Sequence, residues 1–93
     1  MPKFVIEREL PGAGLLSADE VHTIAAKSNE VLSDMAPRAQ WVTSYVTSDK
    51  VYCVYIAEDE AALREHAERV GVPVSAVDEI TSVLDPTTGE RRA

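Results

Sequence analysis

The side chains able to hold a metal ion or move a proton at neutral pH are few: two histidines, His22 and His66, and one cysteine, Cys53, in 93 residues. Asp19 precedes His22 by three positions, which on a helix sets a carboxylate and an imidazole on one surface. That pair offers two positions to a divalent ion such as nickel, zinc or copper, with water or a second subunit supplying the rest. The plainer reading is an ordinary solvated pair. His66 follows Glu65 and falls on the inward edge of an apolar stripe, where it is either a ligand or a buried structural histidine. Cys53 sits between Tyr52 and Val54, with no basic neighbour in sequence to ionise it, and reads first as a core thiol. Tyr45 and Tyr52 fall opposite one another across a tight turn, placed to orient a small ligand or to pack as an aromatic pair.

Other chemistry lacks its spacing. There is no Cys-x-x-Cys, His-Glu-x-x-His or calcium-loop pattern. Pro11, Gly12, Ala13 and Gly14 form a glycine-rich cluster without the Gly-Lys-Ser/Thr or dinucleotide spacing that cradles phosphate. No catalytic triad can be drawn, so nothing identifies an enzyme. A formal charge of -7 leaves no surplus of Lys or Arg to neutralise phosphates, which argues against nucleic acid and anionic membranes as partners. The same negative field favours cations. No apolar run approaches the roughly 20 residues that span a bilayer. A lone cysteine and a charged N-terminal stretch point to the cytoplasm.

The elements that must position these groups follow from periodicity. Residues 3–8, Lys-Phe-Val-Ile-Glu-Arg, are β-rich and stop at the Pro-Gly cluster. Ser17 and Glu20 have capping-box spacing, and Val21, Ile24, Ala25, Ser28, Val31, Leu32 and Met35 then recur at helical steps until Pro37. Two aromatic and β-branched runs, 41–47 and 50–57, flank Ser48 and Asp49 as a hairpin. A second helix is predicted over 59–70, with Ala62, Leu63, His66, Ala67 and Val70 as its stripe and Gly71 as its cap. After Pro73, residues 74–77 suit one short turn, 79–84 a last strand, and 87–93 a polar tail. The order β, α, β, β, α, β predicts one α+β domain over 1–86. Its fold is ferredoxin-like βαββαβ: a four-stranded antiparallel sheet in the order 4-1-3-2, with both helices on one face.

With Ser48 and Asp49 at the turn, Val46 falls opposite Val51, Ser44 opposite Cys53 and Val42 opposite Tyr55, a face of mostly small residues assigned to the helices. The other face then carries Trp41, Thr43, Tyr45, Tyr52, Val54 and Ile56 on the open side of the sheet. A second copy stacked on this face by a two-fold axis would cover it, giving a homodimer that is either simply packed or leaves room for a ligand between the sheets.

Several words of the sequence resemble a small bacterial family of unassigned function, some members of which are described as nickel-binding proteins. They are Glu7-Arg8 with Pro11-Gly12, Trp41-Val42-Thr43-Ser44-Tyr45-Val46, Asp49-Lys50, Tyr52-Cys53-Val54-Tyr55, Arg64-Glu65-His66-Ala67 and Leu84-Asp85-Pro86-Thr87. The likeness runs from the first strand to Thr87. It implies a ferredoxin-like subunit, a homodimer, and nickel bound near the dimer surface for sequestration or handling. His66 matches a histidine of that pattern, whereas Thr43 stands where many members carry one. The leading expectation is therefore a small homodimeric metal-binding protein, with His66 and then His22 with Asp19 as ligands. The alternative is a dimeric α+β barrel-type enzyme or small-molecule-binding protein, whose pocket would use Tyr45, Tyr52, Cys53 and His66. A third is an interaction module that docks on a larger protein through the aromatic face.

Overall fold

The computed structural model describes residues 1–90. Strand β1 (Lys3–Glu9), helix α1 (Ala18–Met35), strands β2 (Ala39–Val46) and β3 (Lys50–Ala57), helix α2 (Glu60–Val70) and strand β4 (Ala76–Glu79) follow in order. The strands make one antiparallel sheet in the order β2-β3-β1-β4, the expected ferredoxin-like arrangement. Local chemistry sets the helix ends. The Glu20 N–H donates to Ser17 Oγ at 3.1 Å while the Ser17 N–H donates to Glu20 Oε1 at 2.9 Å, closing the capping box. Asp59 caps α2 through the Ala62 N–H at 2.9 Å, and Gly71 ends it in the left-handed region at φ 88°.

Alternation along β1 turns Phe4, Ile6 and Arg8 to the helix side and Val5 and Glu7 to the open side. Phe4, Ile6, Cys53, Tyr55 and Leu63 form the main core, and Val31, Met35 and Ala62 close the seam between the helices. All the buried residues of α1, Ser28, Val31 and Met35, lie in its second half. Its first half, with Val21 and Ile24 exposed, stands clear of the sheet and leaves a cleft beneath it.

Two expectations need correction. The hairpin register holds at Val46↔Val51 and Ser44↔Cys53, but a bulge between Trp41 and Thr43 sets Trp41, not Val42, opposite Tyr55. Trp41 is thereby moved from the open face to the cleft wall, where its Nε1 donates to Ser44 Oγ at 2.9 Å, and Val42 is left 50% exposed. The last strand is Ala76–Glu79 rather than 79–84, so it begins inside the stretch expected to turn. An edge strand is only as long as its neighbour. The Ile80 N–H reaches Lys3 O at 2.8 Å, at the first residue of β1. Of the tail expected over 87–93, the stretch Pro86–Gly89 is a 3-10 turn, and residues 91–93 lie outside the described residues.

The glycine cluster docks on the hairpin turn: the Gly14 N–H donates to Ser48 O at 3.0 Å and the Gly12 N–H to Asp49 Oδ1 at 3.0 Å. A Cβ on Gly14 would lie 3.0 Å from Ser48 Cα and 3.1 Å from Thr47 O, both backbone atoms. Gly14→Ala is therefore expected to cost about 1–3 kcal/mol, as overpacking does. Urea unfolding measures it, and an unchanged midpoint would mean that the loop moves off the turn without loss.

Candidate functional site

The cleft between the first half of α1 and the sheet encloses about 130 Å³. Its walls are mainly apolar, with Leu16, Val21, Ile24, Val46 and Val51 among them, and its polar groups are Arg8, Ser28, Ser44, Cys53, Tyr55 and His66. Three elements supply the polar end. β1 brings Arg8 as the third inward residue after Phe4 and Ile6. β3 pairs Cys53 with Ile6 and Tyr55 with Phe4, so both face the helices. α2 carries His66 on the stripe of Leu63 and Ala67.

Arg8 is 5% exposed. Its Nη1 donates to Pro73 O at 2.8 Å and its Nε to Cys53 Sγ at 3.5 Å. His66 is 1% exposed, and its Nε2 shares a 3.0 Å hydrogen bond with Ser28 Oγ. Its Nδ1 is the buried side-chain nitrogen left without a partner among the described residues. The Tyr55 ring stands 5.4 Å from the His66 ring, tilted by 58°. Burial first, and then the Arg8 charge, hold the His66 pKa below its usual range, so the ring stays neutral at neutral pH. Burial, with Cys53 adding to it, pushes the Tyr55 phenol upward and keeps it a neutral hydroxyl. The cleft thus presents a fixed cation among neutral hydrogen-bonding groups.

The residues singled out in the sequence divide among three places. Cys53 and His66 share the cleft. Tyr45, 63% exposed, and Tyr52 pair across the hairpin on the open sheet face, so they do not join Cys53 in one pocket. Asp19 and His22 are exposed near the start of α1, and the neighbouring Glu20 carboxylate is already engaged in the capping box. Thr43, opposite Val54, also lies on the open face; a histidine there would be separated from His66 by the sheet. Among the described residues, no three His, Cys, Asp or Glu side chains stand together as a metal-binding group. Asp19 and His22, three positions apart on α1, are two potential donors and no closed cage. In the cleft the orphaned His66 Nδ1 and the Cys53 thiol are available donors, but an ion between them would face the Arg8 guanidinium.

Arg8, Ser28 and Trp41 escaped the reading of the sequence as site residues. Arg8 shares the period-2 face of Phe4 and Ile6, and Ser28 falls on the apolar stripe of α1; a polar residue on a buried face was the available signal in both. Trp41 had none, because a bulge is invisible to strict alternation.

Among the described residues, no helix is long and apolar enough to cross a membrane. Compared with curated proteins, the chain matches none. Among solved structures it is similar to SCO4226 from Streptomyces coelicolor A3(2), at a TM-score of 0.74 and 16% identity, over 88% of this chain and 99% of that one. That likeness supports the fold alone. The family model described as nickel responsive protein SCO4226-like matches residues 4–80, from the second residue of β1 to just past β4. The chain belongs to the SCO4226-like family of nickel responsive proteins.

Proposed function

We propose that the protein is a small homodimeric nickel-binding protein that holds the ion as exchangeable cargo, for sequestration or handling. Membership of a nickel responsive family across residues 4–80 is the observation that carries this reading. The chain's net charge of -7 supports it by drawing cations to the surface. Asp19 and His22 are the donors in the right condition. Both are exposed, three residues apart on α1, with neither buried behind packing nor committed to the capping box. A carboxylate and an imidazole fill two sites, and exchangeable water completes the octahedron, which suits an ion that must be released again.

The dimer rests on the open face of the sheet. Val5, Tyr45, Tyr52, Val54 and Ile56 are left there at least partly uncovered, flanked by the Lys50–Glu7 ion pair at 3.1 Å. A two-fold stack of this face on a second copy buries the apolar centre and sets charges of both signs at its rim. Sedimentation at micromolar concentration is expected to give a species of twice 10.1 kDa. Tyr45→Lys is expected to give the single chain, and a wild-type protein that sediments only as the single chain would end the dimer reading.

Calorimetry with nickel on tag-free protein tests the metal. A Kd in the range of about 10 μM to 1 mM is expected, weakened about tenfold by His22→Ala and little changed by His66→Gln. Absence of heat up to millimolar nickel overturns the proposal. Loss of binding in His66→Gln alone would move the ion to the cleft.

A further inference from the structure

Burying a guanidinium is costly unless a counter-charge accompanies it. Arg8 is 5% exposed and permanently charged, yet among the described residues no carboxylate bonds to it. Its partners are the Pro73 carbonyl and the Cys53 thiol, neither of them a carboxylate. In the same wall His66 Nδ1 is a buried polar atom without a partner. The rest of the cleft is hydrocarbon, and it opens between Val21, Ile24 and Val46, all large apolar side chains left exposed. A fixed cation at the closed end and an apolar channel leading to it make an unusual gap in a domain of 93 residues, which has little core to spare.

We infer that the cleft between α1 and the sheet binds a small organic carboxylate, with its anionic group on Arg8 beside the Tyr55 hydroxyl and its hydrocarbon part against Val21, Ile24 and Val46. The carboxylate supplies the missing counter-charge and accepts from the guanidinium, a charge-assisted pairing stronger than a hydrogen bond between neutral groups. Size limits the ligand. A cavity near 130 Å³ is close to the about 150 Å³ that holds one benzene, so the fit is to a monoacid with a short chain or a single ring. The inference is independent of the nickel reading, and the metal face of α1 takes no part in it.

The single tryptophan, Trp41, lines the cleft and reports on occupancy. Benzoate and butyrate, titrated at constant ionic strength with a chelator present, are expected to change its fluorescence saturably, with a Kd of about 1 mM or tighter. Benzamide and 1-butanol, of like size but uncharged, should bind at least about tenfold more weakly. Arg8→Gln should abolish that preference for the acids. Because this substitution also removes the bond to Pro73, Ala25→Phe is the companion: it fills the cleft from α1, leaves Arg8 in place and should remove binding of all four compounds. Cys53→Ser should retain the preference for acids, since the counter-charge comes from the ligand and not from a thiolate. The inference is overturned by no saturable response to either acid, by equal affinity for acids and neutral analogues, by loss of the preference in Cys53→Ser, or by unaltered binding in Ala25→Phe.

Discussion

Leu63→Ala is expected to lower the unfolding free energy by about 3 kcal/mol, within the span of about 2–5 kcal/mol seen for large-to-small core substitutions. Leu63 has no exposed surface and joins Phe4, Ile6, Cys53 and Tyr55 in the main cluster. Removing it leaves a cavity whose walls are held by two sheet strands and cannot close. For a domain of this length the loss corresponds to a fall in Tm on the order of 15 °C. The effect reaches the cleft as well, because Leu63 lies one turn before His66 and fixes the rotation of α2 about its axis. Denaturant and thermal unfolding measure the loss. A change below about 1 kcal/mol would show that α2 is held by its caps and ion pairs rather than by its apolar stripe.

The larger elements were legible because short-range chemistry defined them. Ser17 and Glu20 marked the start of α1, Asp59 and Gly71 both ends of α2, and Ser48 with Asp49 the hairpin, and each does in the structure what its side chain or backbone suits it for. What was hidden depended on distant neighbours. Residues 79–84 have a strand's composition, but β4 pairs with β1 only over Ala76–Glu79, where Glu79 lies opposite Phe4. Trp41 has the composition of an interface residue, but a one-residue bulge rotates it through the sheet to the helix side.

The candidate site divides in the same way. His66 was legible as an inward residue of α2, and Cys53 as an inward residue of β3. Their meeting with Arg8 was not, since it depends on β1 lying between β3 and β4 and on the Pro73 carbonyl turning back over the strand. The alternative of a small-molecule-binding protein grouped Tyr45, Tyr52 and Cys53 in one pocket. The sheet separates them, because adjacent positions in a strand point to opposite faces. Charge on the inward face of β1 was the feature with the most to say about chemistry, and it is written in the alternation of Phe4, Ile6 and Arg8.

Acidification should destabilise the protein in a window that belongs to His66. Its folded pKa lies below the unfolded value of 6.5, through burial first and the charge of Arg8 second. As pH falls below that value, the unfolded chain takes up a proton that the folded chain refuses. The unfolded state then binds more protons, so stability rises with pH and is lost on acidification, by up to ~1.4 kcal/mol per pH unit until the folded pKa is reached. Glu65, held below its usual range chiefly by the hydrogen bond from Arg38, acts with the same sign but only as pH falls below its unfolded value of 4.5. The two windows are therefore separable. His66→Gln, compared with the wild type by urea unfolding between about pH 7 and pH 5, should flatten the slope. Parallel slopes would remove His66 as the cause. Benzoate supplies the opposing arm. A carboxylate beside the ring favours the imidazolium and raises the folded pKa toward the unfolded one, so saturation should flatten the wild-type slope and leave His66→Gln unchanged. Arg8 and the ligand would then act on one proton from opposite directions, and the sign of the change in slope reports which charge the cleft contains.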